Sequence, residues 1–139
     1  MNQDYSQYIA RAVQTASPGQ LIVMLYDGFL RFTAQAAEAM GRGDYGAAGT
    51  RLTRAADIVT ELRLSLDMEK GGDISTNLSS IYVYVAECLM RARVQKDPGL
   101  IEEARRHMTE LRAAWAQIAT QRKPQVDRSA PPVGLNVAG

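Results

Sequence analysis

The chain of 139 residues has little that could do covalent chemistry: one cysteine, one histidine, and a charge balance of 16 basic against 15 acidic side chains. A lone Cys88 closes no disulfide within the chain, which fits a reducing compartment. A net charge of +1 leaves no general basic footprint for nucleic acid or an anionic membrane. No apolar run approaches the about 18 residues of a membrane-spanning helix. The start, Met1-Asn2-Gln3-Asp4-Tyr5, has no basic region leading into an apolar stretch, so no signal peptide is expected and the predicted location is cytoplasmic. No alternating strand pattern occurs anywhere along the chain.

Several short matches to known chemistry fail on context. Gly41-Arg42-Gly43-Asp44-Tyr45-Gly46 fits G-x-G-x-x-G, but a dinucleotide fingerprint follows a strand and this one follows a helical pattern. The Arg-Gly-Asp within it reads as a helix-to-helix turn. A di-metal site in a helical bundle needs two Glu-x-x-His pairs, and His107 stands alone. Glu103 and Glu110 around it suit pairing on a solvated face. One Cys and one His serve zinc poorly, and the acidic stretch from Asp67 to Asp73 lacks calcium-loop spacing. Cys88 lies on an apolar helix face and reads as packed. No metal site, no cofactor and no enzymatic activity are predicted.

What the chain does have is helix. Leu21-Ile22-Val23-Met24-Leu25-Tyr26 is an unbroken apolar stretch behind Ser17-Pro18-Gly19-Gln20, a strong helix start. Ser17 can cap the first turn, Gln20 can reach back to it, and Pro18 falls where its missing N–H costs nothing. At about 100° per residue this stretch circles the axis. The stripe Leu21, Leu25, Gly28, Phe32 is expected to face the core, leaving Ile22, Met24 and Tyr26 to be covered by a buried setting, a mobile segment or a partner. Gly41-Arg42-Gly43 ends this helix and Asp44 caps the next, whose seam is Tyr45, Ala48, Leu52, Ala55, Val59, Leu62 and Leu66. After a break through Gly72, Asp73 is predicted to cap a third helix with the seam Leu78, Tyr82, Val85, Leu89 and Ala92. Asp97 and Pro98 open a fourth, with Ile101, Ala104, Met108, Leu111, Trp115 and Ile118.

The fold expected is all-α: an antiparallel up-down-up-down four-helix bundle over residues 17–121. A short amphipathic segment over 1–16 carries Tyr5, Tyr8, Ile9, Ala12 and Val13. Such a segment is marginal alone, so its apolar face must dock on something. The tail over 122–139, with Pro124, Pro131 and Pro132 and no period, is expected to be disordered.

The chain resembles the flagellin-specific export chaperones of the FliS family over about residues 8–118. The resemblance is carried by Tyr8 with Val13, by Thr15-Ala16-Ser17-Pro18-Gly19-Gln20-Leu21 and by Met24-Leu25-Tyr26-Asp27-Gly28. It continues through Ala56-Asp57-Ile58-Val59-Thr60-Glu61-Leu62, Glu69-Lys70-Gly71-Gly72-Asp73-Ile74, Asn77-Leu78 with Tyr82 and Tyr84, and Ile101-Glu102-Glu103 followed by Trp115. Two positions depart from the pattern. Val83 stands where the family usually has an acidic residue, and Arg93 where it often has Asn. The resemblance implies a cytosolic chaperone that binds the disordered C-terminal region of flagellin and presents it to the flagellar type III secretion export gate. No ATP or metal is implied. The residues themselves suggest the contacts: Ile22, Met24 and Tyr26 on the first long helix, and Asn77, Ile81 and Tyr84, beside Cys88, on the third. Tyr5, Tyr8, Ile9 and Val13 are expected to join them as a movable cover. The alternative is a structural or adaptor bundle that binds another folded protein.

Overall fold

The computed structural model describes residues 18–122, with side chains over 19–118. The N-terminal segment with Tyr5, Tyr8, Ile9 and Val13, the Ser17 cap, and the tail beyond Arg122 lie outside the described residues. Four helices make up the rest: α1 (Pro18–Gly41), α2 (Tyr45–Leu64), α3 (Met68–Gln95) and α4 (Pro98–Arg122). No strand occurs among the described residues.

Side-chain caps set the helix starts. The Asp44 carboxylate accepts from the Ala47 N–H at 3.1 Å, and Asp97 accepts from Gly99 at 2.9 Å, both as the sequence predicts. The start of α3 differs from expectation. Its cap is Asp67, which accepts from the N–H groups of Glu69 and Lys70 at 3.0 and 2.9 Å. Helix therefore begins at Met68, and the expected break shrinks to a single non-helical residue, Gly72, at φ 51 and ψ −126. That conformation is open to glycine and closed to most side chains. Across it the Ser75 hydroxyl donates to the Asp67 carbonyl at 3.0 Å. At the other end α3 stops on Lys96 in the left-handed conformation, whose N–H returns to the Ala92 carbonyl.

The links 42–44, 65–67 and 96–97 are far too short to run back along a helix of about 30 Å. Consecutive helices that pack side by side must therefore reverse direction. α1 and α4 close the ring: Asp27 pairs with Arg112 while Leu30, further along α1, pairs with Arg105, earlier on α4. The arrangement is an all-α four-helix bundle, with α1 beginning and α4 ending at one end.

The core is built from the predicted seams of α2, α3 and α4: Leu52, Ala55, Val59 and Leu62; Tyr82, Val85, Leu89 and Ala92; Ile101, Ala104, Met108 and Trp115. The seams open at their outer ends, where Tyr45 and Ile118 are 45% and 43% exposed. Helix α1 is rotated from the expected setting. The side turned to the core carries Ile22, Tyr26, Phe29, Thr33, Ala36 and Met40, while of the expected stripe Gly28 is buried and Leu21, Leu25 and Phe32 are half-buried. Two pairings settle the rotation. Tyr26 turns inward to meet Tyr82, and Gly28 lies against α2, where an added Cβ would come within 3.0 Å of Ile58 Cδ1. The second apolar side of α1 is thus largely covered by α2. Thr33, fully buried, donates to the Phe29 carbonyl at 2.8 Å and accepts from Arg105 Nη1 at 3.0 Å. The same Arg105 nitrogen donates to the Leu30 carbonyl at 2.6 Å, so no polar group in this group of contacts is left without a partner.

Candidate functional site

The rotation of α1 changes where its three candidate residues lie. Ile22 and Tyr26, expected off the core stripe, are 4% and 0% exposed and offer no surface to a partner in this state. Tyr26 shares a hydrogen bond with Tyr82, and this pairing across 56 positions of sequence leaves no periodic trace. Met24, the third candidate of α1, remains half-buried at the surface.

The α3 stripe is used differently from expectation. Ile81 is half-buried and Cys88 buried; Asn77 is exposed. Tyr84 reaches across to α4, donating to Glu103 at 2.9 Å and meeting the His107 ring edge-on at 5.4 Å. That hydrogen bond raises the Tyr84 hydroxyl to about 12. Glu103 also takes Arg106 at 2.8 Å and His107 at 3.4 Å. Arg106 first, then Tyr84, hold its carboxyl below the ordinary range. Burial pushes the Cys88 thiol up, away from the thiolate that nucleophilic chemistry needs. Tyr84, Glu103, His107 and Arg106 therefore clamp α3 to α4. No group of three or more potential metal ligands gathers among the described residues.

Open apolar surface lies in two places, and Ile118 alone of its strongly exposed residues belongs to a predicted seam. At the end where α1 begins and α4 ends, Leu64, Met68, Ile74 and Ile118 are 76%, 51%, 53% and 43% exposed. The half-buried Leu21, Val23, Met24 and Leu25 lie at the same end, on the first turns of α1. The other place is the outer side of α3, where Val83, Met90 and Val94 are 47%, 60% and 74% exposed. Val83 had one sequence signal, the departure from an acidic residue; Met90 and Val94 had none, because periodicity reports the buried side. Exposed apolar patches of this kind mark surfaces for contact with other molecules. No helix among the described residues is long and apolar enough to cross a membrane.

Comparison with known proteins gives the same class. The family model described as "Flagellar protein FliS" matches residues 1–122. The chain is 38% identical over 121 residues to the flagellar secretion chaperone FliS of Salmonella typhimurium, covering 86% of this chain and 90% of that protein. It is 33% identical over 120 residues to FliS of Bacillus subtilis, covering 86% and 89%. Against the flagellar secretion chaperone FliSB of Pseudomonas aeruginosa it is 33% identical over 119 residues, covering 86% and 94%. A match of this extent fixes the class, and this chain belongs to the FliS family, a family of flagellar secretion chaperones rather than of enzymes.

Proposed function

We propose that this protein works in the cytosol as the export chaperone of flagellin. It binds the disordered C-terminal region of flagellin, keeps that region from polymerising early, and hands it to the export gate of the flagellar type III secretion apparatus. The observation that carries the reading is the open apolar end around Leu64, Met68, Ile74 and Ile118. A soluble bundle leaves such side chains uncovered when something else is to cover them.

The mechanism is physical. Client residues destined for a filament core are apolar, and the bundle shields them until export. A segment that orders on binding can wrap a large surface, and the ordering cost keeps its affinity moderate for the area covered. Met24, Asn77, Ile81 and Tyr84 form the α1 and α3 share of the proposed contact surface, and Ile22 and Tyr26 support it from the core. Tyr5, Tyr8, Ile9 and Val13 join it as a cover that the client displaces. No ATP and no metal take part.

Calorimetry with flagellin of the same organism tests the reading. Intact flagellin should bind, and flagellin lacking its C-terminal segment should not. Equal binding by the two would remove the C-terminal region as client.

A further inference from the structure

The second open surface lies at the opposite end of the bundle, where α2 begins and α3 stops. Met90 and Val94 stand a turn apart on the outer side of α3. At about 100° per residue, Arg91 and Arg93 fall about 80° to either side of the stripe they form. Arg93 lies across Gly49 of α2, with its Nε 3.3 Å from where a Cβ would be, and its Nη1 donates to the Thr53 hydroxyl at 3.4 Å. Lys96 closes the upper rim, its ammonium 4.7 Å from the centre of the Tyr45 ring. None of Arg91, Arg93 and Lys96 is in an ion pair among the described residues. The carboxylates at this end are already committed: Asp44 and Asp97 cap α2 and α4, and Glu38 pairs with Arg42. Glu87, three residues before Met90 and four before Arg91, is an exposed carboxylate on the same side of α3 and sets the lower edge of the patch.

We propose that this face docks an amphipathic helix of a partner protein whose apolar stripe is flanked by Asp and Glu. The apolar residues give the stripe something to bury, the absence of a Cβ at Gly49 lets Arg93 lie flat across α2, and the basic rim selects the flanking charge. A second copy of this chain fits badly, because a two-fold contact centred on the patch would set one basic rim against another. The chain's own stretches before Pro18 and after Arg122 fit badly as well. Residues 1–17 carry Arg11 against Asp4, and the tail carries Lys123 and Arg128 against Asp127, so neither brings the acidic flanks. The inference does not depend on flagellin being the client.

The test is a titration of the full-length protein with two model peptides of about four helical turns. Both carry leucine along one face; one has Glu on the flanks and the other Lys. The Glu peptide should bind, more weakly as salt is raised, and the Lys peptide should not. Met90→Glu with Val94→Glu, both at exposed positions, should weaken the Glu peptide by about tenfold or more. Arg91→Glu with Lys96→Glu should move the preference towards the Lys peptide, a change that misfolding cannot produce. Equal binding of both peptides, or binding indifferent to Met90→Glu with Val94→Glu, overturns the proposal. So does self-association of the free protein in sedimentation that Val94→Glu abolishes, since the face would then belong to a second copy.

Discussion

The hydroxyls of Tyr26 on α1 and Tyr82 on α3 lie 2.5 Å apart and hydrogen-bond to each other, with the two residues 0% and 1% exposed. Their helices are not neighbours in the ring, so the pair ties the bundle across its diagonal. Tyr26→Phe leaves the Tyr82 hydroxyl buried without its partner. The expected loss is about 1–3 kcal/mol in urea unfolding, and the double variant with Tyr82→Phe should lose less than the two single changes added together.

The same pair should make the protein sensitive to alkali. Burial, reinforced for Tyr26 by its neighbour, raises both hydroxyls above the ordinary tyrosine value. Below about pH 10 both rings are protonated in the folded and the unfolded chain, and the pair adds no pH dependence. Above it the unfolded chain releases protons that the folded chain keeps, so stability falls as pH rises, by about 1.4 kcal/mol per unit for each tyrosine. Urea midpoints measured on either side of about pH 10 should show the fall, and Tyr26→Phe should remove about one proton from its slope.

Capping at the start of α3 separates two aspartates that look equivalent in sequence. Asp67→Ala should cost about 1 kcal/mol, because it frees the N–H groups of Glu69 and Lys70. Asp73→Ala should stay within about 0.5 kcal/mol in the same denaturation experiment. The opposite order would place the helix start at Asp73, where the sequence pattern alone puts it.

The two terminal stretches should behave differently when removed. Deleting 123–139, which carries no apolar period, should leave unfolding free energy within about 0.5 kcal/mol and client binding unchanged. Deleting 1–12 removes Tyr5, Tyr8 and Ile9 and should expose apolar surface in the free protein. If that segment competes with the client, its loss should tighten flagellin binding in calorimetry, because a closed state lowers apparent affinity. Weaker binding would show that the segment contacts the client instead.

The seams of α2, α3 and α4 were legible because each has apolar residues on one side and polar ones elsewhere; Ala48 to Leu62 and Ile101 to Trp115 needed only the helical period. The caps at Asp44 and Asp97 were legible from local chemistry. The setting of α1 was not. Leu21 to Tyr26 is apolar on every side, so Leu21 with Leu25 and Ile22 with Tyr26 satisfy the same rule. The choice between them is made by Tyr82 and Ile58, on other helices. Site residues suffered for the same reason. Tyr84 is an aromatic beside a seam whether it faces solvent or Glu103, and only the position of α4 distinguishes the two.

Gly72 divides α3 into a short leading turn and the long helix behind it. The hydrogen-bond ladder does not run evenly through a residue in that conformation. The leading turn is held by its own clasp: Asp67 gives its carboxylate to Glu69 and Lys70, and its carbonyl to the Gly71 N–H and the Ser75 hydroxyl. All four contacts converge on one residue. The buried Gly71 and Ser75 hold this turn together with the clasp, and the helix that carries Tyr82 and Leu89 lies beyond it, which separates local melting from the cooperative loss of the core. A chain beside Met68 and Ile74 thus meets a surface that can loosen while the bundle stays folded.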